Sequence, residues 1–446
     1  MRVISPTTDD QLRAERDLIA AIIAGLARVS SSRLWPGFNP ARLPLAVALP
    51  ASDATWLLDH DRADAYDAVA STGEQPRRLR RAGLDERIVS NSVSLIADRP
   101  TATIIVEDTA SEVELTALAA HELFHVHQAS HFPDWGANEA SHLLWPWDDP
   151  ENIARSEREL SLLGQARAAP DDATCAGLAR RAPALRRERF GRLPPDARDY
   201  ENAVELVEGT ARHVEGRTAT LLGAQLQEPD AIDPIDVRRR CYRTGRDWCA
   251  LLDRLAGPDW PSQLSSKAGA PMPVLTNLPA ETIGDPGTAD DGWRDGLARA
   301  TAAIAAERTR RFSRVDLLRT ESGGSVVIRS RLNAPIRVIG FDPMNLTGLS
   351  DGVVLHERYL SLSVGEARVT ILNRVIVTTS MGDHSLFGGL VRARILIGAG
   401  GIAAVPDWSV DDLAALGIRV TGPFAVRQTG AGSAELLPGV QPEGAQ

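Results

Sequence analysis

The chain has one lysine, Lys267, among 49 basic residues, so arginine carries nearly all of its positive charge. Cysteine is almost as scarce. Cys175, Cys241 and Cys249 are an odd number spread over 446 residues, which excludes a disulfide framework and fits reduced, structural thiols in the cytoplasm. No run of uncharged apolar residues approaches the length that spans a bilayer, so no membrane role is expected. Residues Met1 to Ser30 lack the charged start, continuous apolar centre and small-residue cleavage site of an export signal, and read as an amphipathic helix. A formal charge of −10 argues against general nucleic-acid binding. The arginine clusters Arg77 to Arg81 and Arg238 to Arg240 lie beside acidic segments and read as solvated faces.

At this length two domains are expected. A helix over Asp9 to Val29 is followed by strand-like stretches at Leu43 to Leu49, Thr55 to Leu58 and Ile88 to Ile105, which suggest a small N-terminal sheet. Ser111 with Glu114 three residues on forms a capping-box pattern, so the next helix starts there and fades near Ser130 to Pro133. Helical spacing continues over Asn152 to Ala169, Asp172 to Arg189, Ala197 to Leu222 and Ile235 to Leu255. Pro, Gly, Ser and Asp then crowd Ser262 to Asp291, a linker, before one helix over Trp293 to Arg310. Beyond it Ser325 to Arg331, Ile336 to Phe341, Val353 to Val364, Ala367 to Thr379 and Leu390 to Ile397 are rich in Val, Ile and Leu and bounded by turn residues. The expected organisation is α+β: residues 1–270 form a mostly helical domain with a small sheet, 271–430 a β-rich domain, and 431–446 a disordered tail. In the β-rich part, Phe341 to Leu346 with His356 and Glu357 can line a cleft, although such residues most often make turns.

The chemistry concentrates at His121-Glu122-Leu123-Phe124-His125. Histidines four apart project from one helical face and can give imidazole nitrogens to one ion. Glu122, about 100° round the helix from His121, is then placed as general base toward ion-bound water rather than as a ligand. Two residues compete as third ligand. His131 lies ten residues after His121, but the glycine that would let the chain turn back is replaced by Gln128, and no methionine between His131 and Met272 supplies a nearby Met-turn. The other is Glu208, within Val207-Glu208-Gly209-Thr210-Ala211-Arg212-His213-Val214-Glu215 on the helix Ala197 to Leu222. There Glu201, Glu205, Glu208 and Arg212 share one face by spacing, more acidity than a buried face carries without a cation. Glu201 or Glu205 is a candidate partner for the distal nitrogen of His121 or His125.

The run Val207 to Glu215 resembles the Asn-Glu-Gly-x-Ala-x-Tyr-x-Glu segment of gluzincins of the aminopeptidase N sort, with Val207 in place of Asn and His213 in place of Tyr. The segment beginning Tyr242-Arg243-Thr244-Gly245 resembles the helix that follows the glutamate helix in several gluzincin-like hydrolases. The likeness is to the clan and covers the motif helix through the Tyr242 helix. It implies a zincin-like domain with one zinc ion per chain held by His121, His125 and Glu208. It further implies Glu122 as base and His213, or else Tyr200 or Tyr242, as donor to the oxyanion. The expected activity is that of a zinc metallopeptidase acting on a peptide or protein. The alternatives are a non-catalytic binding or scaffold protein on the same fold, or a zinc hydrolase of non-peptide amides or esters.

Overall fold

The computed structural model describes residues 9–30, 34–59, 66–69, 78–85, 88–107, 110–226, 232–257, 259–264, 291–320, 324–332, 335–350, 352–382, 384–398, 410–430 and 433–438. The chain is α+β, with a helical middle region and two mostly antiparallel sheets. It divides into two compact units, residues 1–138 with 146–300, and residues 139–145 with 301–446. The boundary therefore falls at 300 rather than near 270, and the expected linker lies largely in residues 265–290, outside the described ones. No described helix is long and apolar enough to cross a membrane.

In the first unit, helix α1 (Asp9–Ser30) buries Glu15, Ile19, Ile22, Leu26 and Val29, spacings of three and four that keep one face inward. Its Glu15 accepts hydrogen bonds from Trp56 Nε1 and Arg81 Nε, both at 2.8 Å, and so ties the helix to the sheet. That sheet comprises β1 (Leu45–Leu49), β2 (Ala54–Leu58), β3 (Asp67–Val69), β4 (Leu79–Gly83), β5 (Ser92–Ile96) and β6 (Arg99–Ile105) in the order β3-β4-β2-β1-β6-β5. β1 and β6 run parallel. Strands β3 and β4 escape sequence detection because Asp67, Arg80 and Arg81 interrupt the apolar pattern. Helix α2 (Glu112–His131) lies against β5, β6 and α1 and begins with the expected capping box at Ser111 and Glu114.

Four further helices follow: α3 (Pro150–Ala168), α4 (Asp172–Phe190), α5 (Pro195–Val204) and α6 (Thr210–Leu221), with α7 (Val237–Leu255) after a connection. Residues Glu205–Gly209, between α5 and α6, form a π-helical turn inside what the sequence presents as one helix. A buried ion network joins these helices. Arg189 forks onto Glu201 at 2.7 and 2.8 Å, Arg240 reaches Glu201 at 3.2 Å, and Arg186 pairs with both Glu159 and Glu205. Burial opposes charge on Arg186, and the Glu159 and Glu205 carboxylates overcome it. Arg238 and Arg240 are 6% and 4% exposed, so the expected solvated face holds for Arg239 alone in that cluster. Near the other cluster Arg81 is bound to Glu15.

The second unit holds the end of α8 (Asp291–Thr320) and a sheet of β7 (Gly324–Arg329), β8 (Ile336–Phe341), β9 (Leu346–Ser350), β10 (Val353–His356), β11 (Tyr359–Val364), β12 (Ala367–Leu372), β13 (Ile376–Ser380) and β14 (Leu390–Gly398). A short helix α9 (Val410–Ala415) precedes β15 (Ile418–Thr421), β16 (Phe424–Gly430) and β17 (Ser433–Pro438). Two expected strands are each two: a turn after His356 separates β10 from β11, and Asn373, at φ 52°, turns the chain between β12 and β13. The expected tail is also corrected. Residues 433–438 are β17, paired with β16 and, in parallel, with β7, and Ala434, Glu435 and Leu436 are buried there. The residues after 438 lie outside those described. Asp342 caps a turn at Pro343–Asn345, and Glu357 pairs with Arg314, so these polar residues serve local structure.

His356 is 1% exposed, its Nε2 3.1 Å from Thr378 Oγ1. Burial pushes its pKa down from 6.5 to about 3. The unfolded chain takes up a proton as pH falls below that starting value, while the folded chain does not until the lower one. Stability is therefore fully present above the unfolded value and lost as pH falls through the window, by about tenfold in the unfolding constant per pH unit. Denaturant melts across the window are expected to show a steeper loss for the native chain than for His356→Gln; equal slopes would contradict this.

Candidate metal centre

Helix α2 is held by its back face. Leu123 and Phe124 are fully buried, and Phe124 meets Trp35 and Phe38 edge-on, each at 5.1 Å between ring centres. With that face fixed, His121 and His125 on successive turns look toward α6 and the π turn. Their Nε2 atoms are 3.1 Å apart. Glu208 Oε2 lies 3.2 Å from His125 Nε2 and 3.6 Å from His121 Nε2. Among the described residues these three side chains are the one His, Cys, Asp and Glu group able to hold a metal ion.

The other ring nitrogens decide what faces the centre. His121 Nδ1 is 2.9 Å from Glu215 Oε2, and a carboxylate oxygen can only accept, so Nδ1 carries the hydrogen. His125 Nδ1 is 2.7 Å from Gln128 Oε1. The Gln128 amide nitrogen donates to Val207 O and Thr210 Oγ1, both at 2.9 Å, which fixes its oxygen as the acceptor. Both imidazoles thus turn bare Nε2 lone pairs on each other and on a carboxylate oxygen. Only a proton or a cation satisfies three such acceptors. Donors about 2.0–2.2 Å from an ion in tetrahedral array stand about 3.3 Å apart, and the three separations here bracket that value.

The electrostatics express the same demand. Burial would depress the His121 pKa, yet Glu208 and Glu215 outweigh it and raise it to about 10. His125 is likewise raised against burial, by Glu208. Burial would push Glu208 up, and His125, His121 and Arg238 hold it well below the usual carboxylate range. Glu122, 5% exposed, is pushed up by burial while the charge of His121 and His125 pulls it down.

The π turn explains why Glu208 alone of its expected face joins the histidines. One extra residue rotates what precedes it by about 100°. Glu201 and Glu205, expected on the Glu208 face, therefore look away toward Arg186, Arg189 and Arg240. Their countercharge is arginine, and they do not orient the histidines; Glu215 and Gln128 do. Glu215 lies seven residues beyond Glu208, two turns along, and that spacing was the available signal for it. Arg238, on α7, donates to Glu208 Oε1 at 2.8 Å and leaves Oε2 to the histidines. Helix α7 comes this close because Gly245 meets the π turn: a Cβ on Gly209 would lie 2.5 Å from Gly245 Cα.

The competing residues are elsewhere. α2 continues through His131, which stacks on His127 at 4.0 Å and is not part of the cluster. His213 is not brought to the cluster either, since its Nε2 lies 3.1 Å from Asp253 Oδ2. Helical phase is the reason: His213 sits five residues past Glu208 and so faces another side of α6. Tyr242 is the tyrosine at the centre. Its ring stacks over His121 at 6.3 Å, and its hydroxyl lies 3.3 Å from Arg238 Nη2. Tyr200 is buried in α5.

No family model, curated protein or solved structure matches this chain. Elemental analysis of dialysed protein tests the donor set directly: Glu208→Ala is expected to lose stoichiometric metal and His131→Ala to retain it, and the reverse pattern would overturn the assignment. Removing the acceptor that orients His121, in Glu215→Gln, is expected to weaken metal affinity by about 10–100-fold. A competition titration with a chelator measures it.

Proposed function

We propose that this chain is a zinc-dependent hydrolase of the gluzincin kind, with His121, His125 and Glu208 as zinc ligands, Glu122 as general base, and peptides or proteins as substrates. The observation that carries the reading is the convergence of two bare imidazole nitrogens and one carboxylate oxygen, each oriented by its own second partner. His121, His125 and Glu208 would hold the ion with three protein donors and leave it open to water or substrate, as catalytic rather than structural zinc sites do. The His125 and Glu208 side chains are 15% and 12% exposed, which fits access from solvent. The bound ion would supply a lowered water pKa and polarisation of the scissile carbonyl.

The side chains then divide the remaining work. Glu122 removes the proton from the attacking water and delivers it to the leaving amine. Burial, which raises its proton affinity, favours the first half of that exchange. The Tyr242 hydroxyl, beside Glu208 and Arg238, is better placed than His213 to donate to the developing oxyanion. Peptide substrates, rather than other amides or esters, are supported by the likeness of Val207 to Glu215 to the gluzincin run.

Glu122→Gln keeps the size of the side chain and removes the base. It is expected to bind zinc stoichiometrically and to lose turnover by about 10²–10⁴-fold, read by cleavage of a quenched fluorescent peptide library beside metal analysis of the same sample. Undiminished turnover in a zinc-loaded variant would sink the mechanism.

A further inference from the structure

A second polar site lies on the other side of α6 and α7. A cavity of about 640 Å³ is lined by Arg167 of α3, His213, Gly216 and Arg217 of α6, and Arg243, Arg246 and Asp253 of α7, with Leu221, Leu226 and Ala250 as apolar wall. Its size falls within the range of about 300–1,000 Å³ typical of small-molecule sites. Four guanidinium groups meet two carboxylates here. Arg167 and Arg246 share Asp247 Oδ1, at 2.6 and 2.7 Å. Asp253 is occupied by Trp260 Nε1 at 2.7 Å, His213 at 3.1 Å and Arg217 at 3.6 Å.

Arg243 is left over. Its Nε is buried without a hydrogen-bond partner, and no ion pair to it is found among the described residues. A buried guanidinium nitrogen in that condition costs free energy unless an acceptor reaches it. Gly216 makes an independent point. Glycine inside a helix costs about 1 kcal/mol against alanine, and a close helix crossing explains Gly209 and Gly245. No such contact explains Gly216, because a Cβ there would meet nothing within 4 Å. It borders the cavity and keeps it wide.

We propose that this cavity binds a small organic anion bearing phosphate or carboxylate groups, received by Arg243 with Arg217 and Arg246, its apolar part against Leu221, Leu226 and Ala250. Planar, fork-like donors match both anion types. His213 belongs to this site, lining the cavity and sharing Asp253 Oδ2 with Arg217. The inference is independent of the metal centre.

Calorimetric titration of the full chain with inorganic phosphate, and separately with citrate, is the test. Saturable binding is expected, weakened about tenfold or more in Arg243→Gln. Gly216→Leu, which fills the cavity from a helix position with free space, is expected to abolish binding at a melting temperature no lower than that of the native chain. Glu208→Ala, which removes a metal donor, is expected to bind the anion like the native chain and so separates this cavity from anion capture by a bound metal. Tighter phosphate binding assigns a phosphate ester, and tighter citrate binding a polycarboxylate. Absence of saturable binding by both anions, or equal binding in Arg243→Gln and Gly216→Leu, would overturn the proposal.

Discussion

Where the π turn meets α7, the backbones of Gly209 and Gly245 touch, and neither position has room for a β-carbon. That contact lets α7 close on the turn, so that Arg238 reaches Glu208 and Thr244 reaches Glu205. The turn itself rotates the preceding helix relative to the following one. Acidic residues that an unbroken helix would align are thus sent to two destinations: Glu201 and Glu205 to an arginine cluster, Glu208 to the histidines. A π turn is less favourable than continuous α-helix and persists where packing over-determines it. Here the Gln128 amide, donating to Val207 O within the turn, supplies one of those constraints.

The two acidic destinations differ in how their charge is answered. Around Glu201 and Glu205 every carboxylate meets a guanidinium, and a buried network paired in charge in this way specifies one packing arrangement more than it stabilises the fold. Around Glu208 only one oxygen is answered by arginine. The other faces two imidazole lone pairs, and this incomplete satisfaction marks a place for a cation. A related contrast recurs on the far side of α6 and α7, where Arg243 Nε is buried without a hydrogen-bond partner among the described residues. Helices α6 and α7 therefore separate an unmet demand for positive charge from an unmet demand for negative charge.

Much of this was legible along the chain. The capping box at Ser111, the helical phase of His121 and His125, the α+β class, and most helix limits to within about two residues follow from local spacing. Local spacing also misled in identifiable ways. It aligned Glu201 and Glu205 with Glu208, because a π turn leaves no mark in composition. It assigned Arg238 and Arg240 to solvent, because their partners lie about thirty to forty residues away in sequence. It missed β3 and β4, whose charged residues break the alternation, and counted β17 as tail because its partners, β7 and β16, are set by the sheet.

The sequence by itself determined that two histidines would share a helical face with a glutamate beside them, since 3.6 residues per turn requires it. Tertiary structure alone decided that Glu208 rather than His131 meets them, that Glu215 and Gln128 turn their nitrogens inward, and that His213 faces another cavity. The reason is physical: the helix period fixes directions within one element. Which directions converge depends on the crossing of α2, α6 and α7, and that crossing is set by the aromatic packing behind Phe124 and by two glycines in contact.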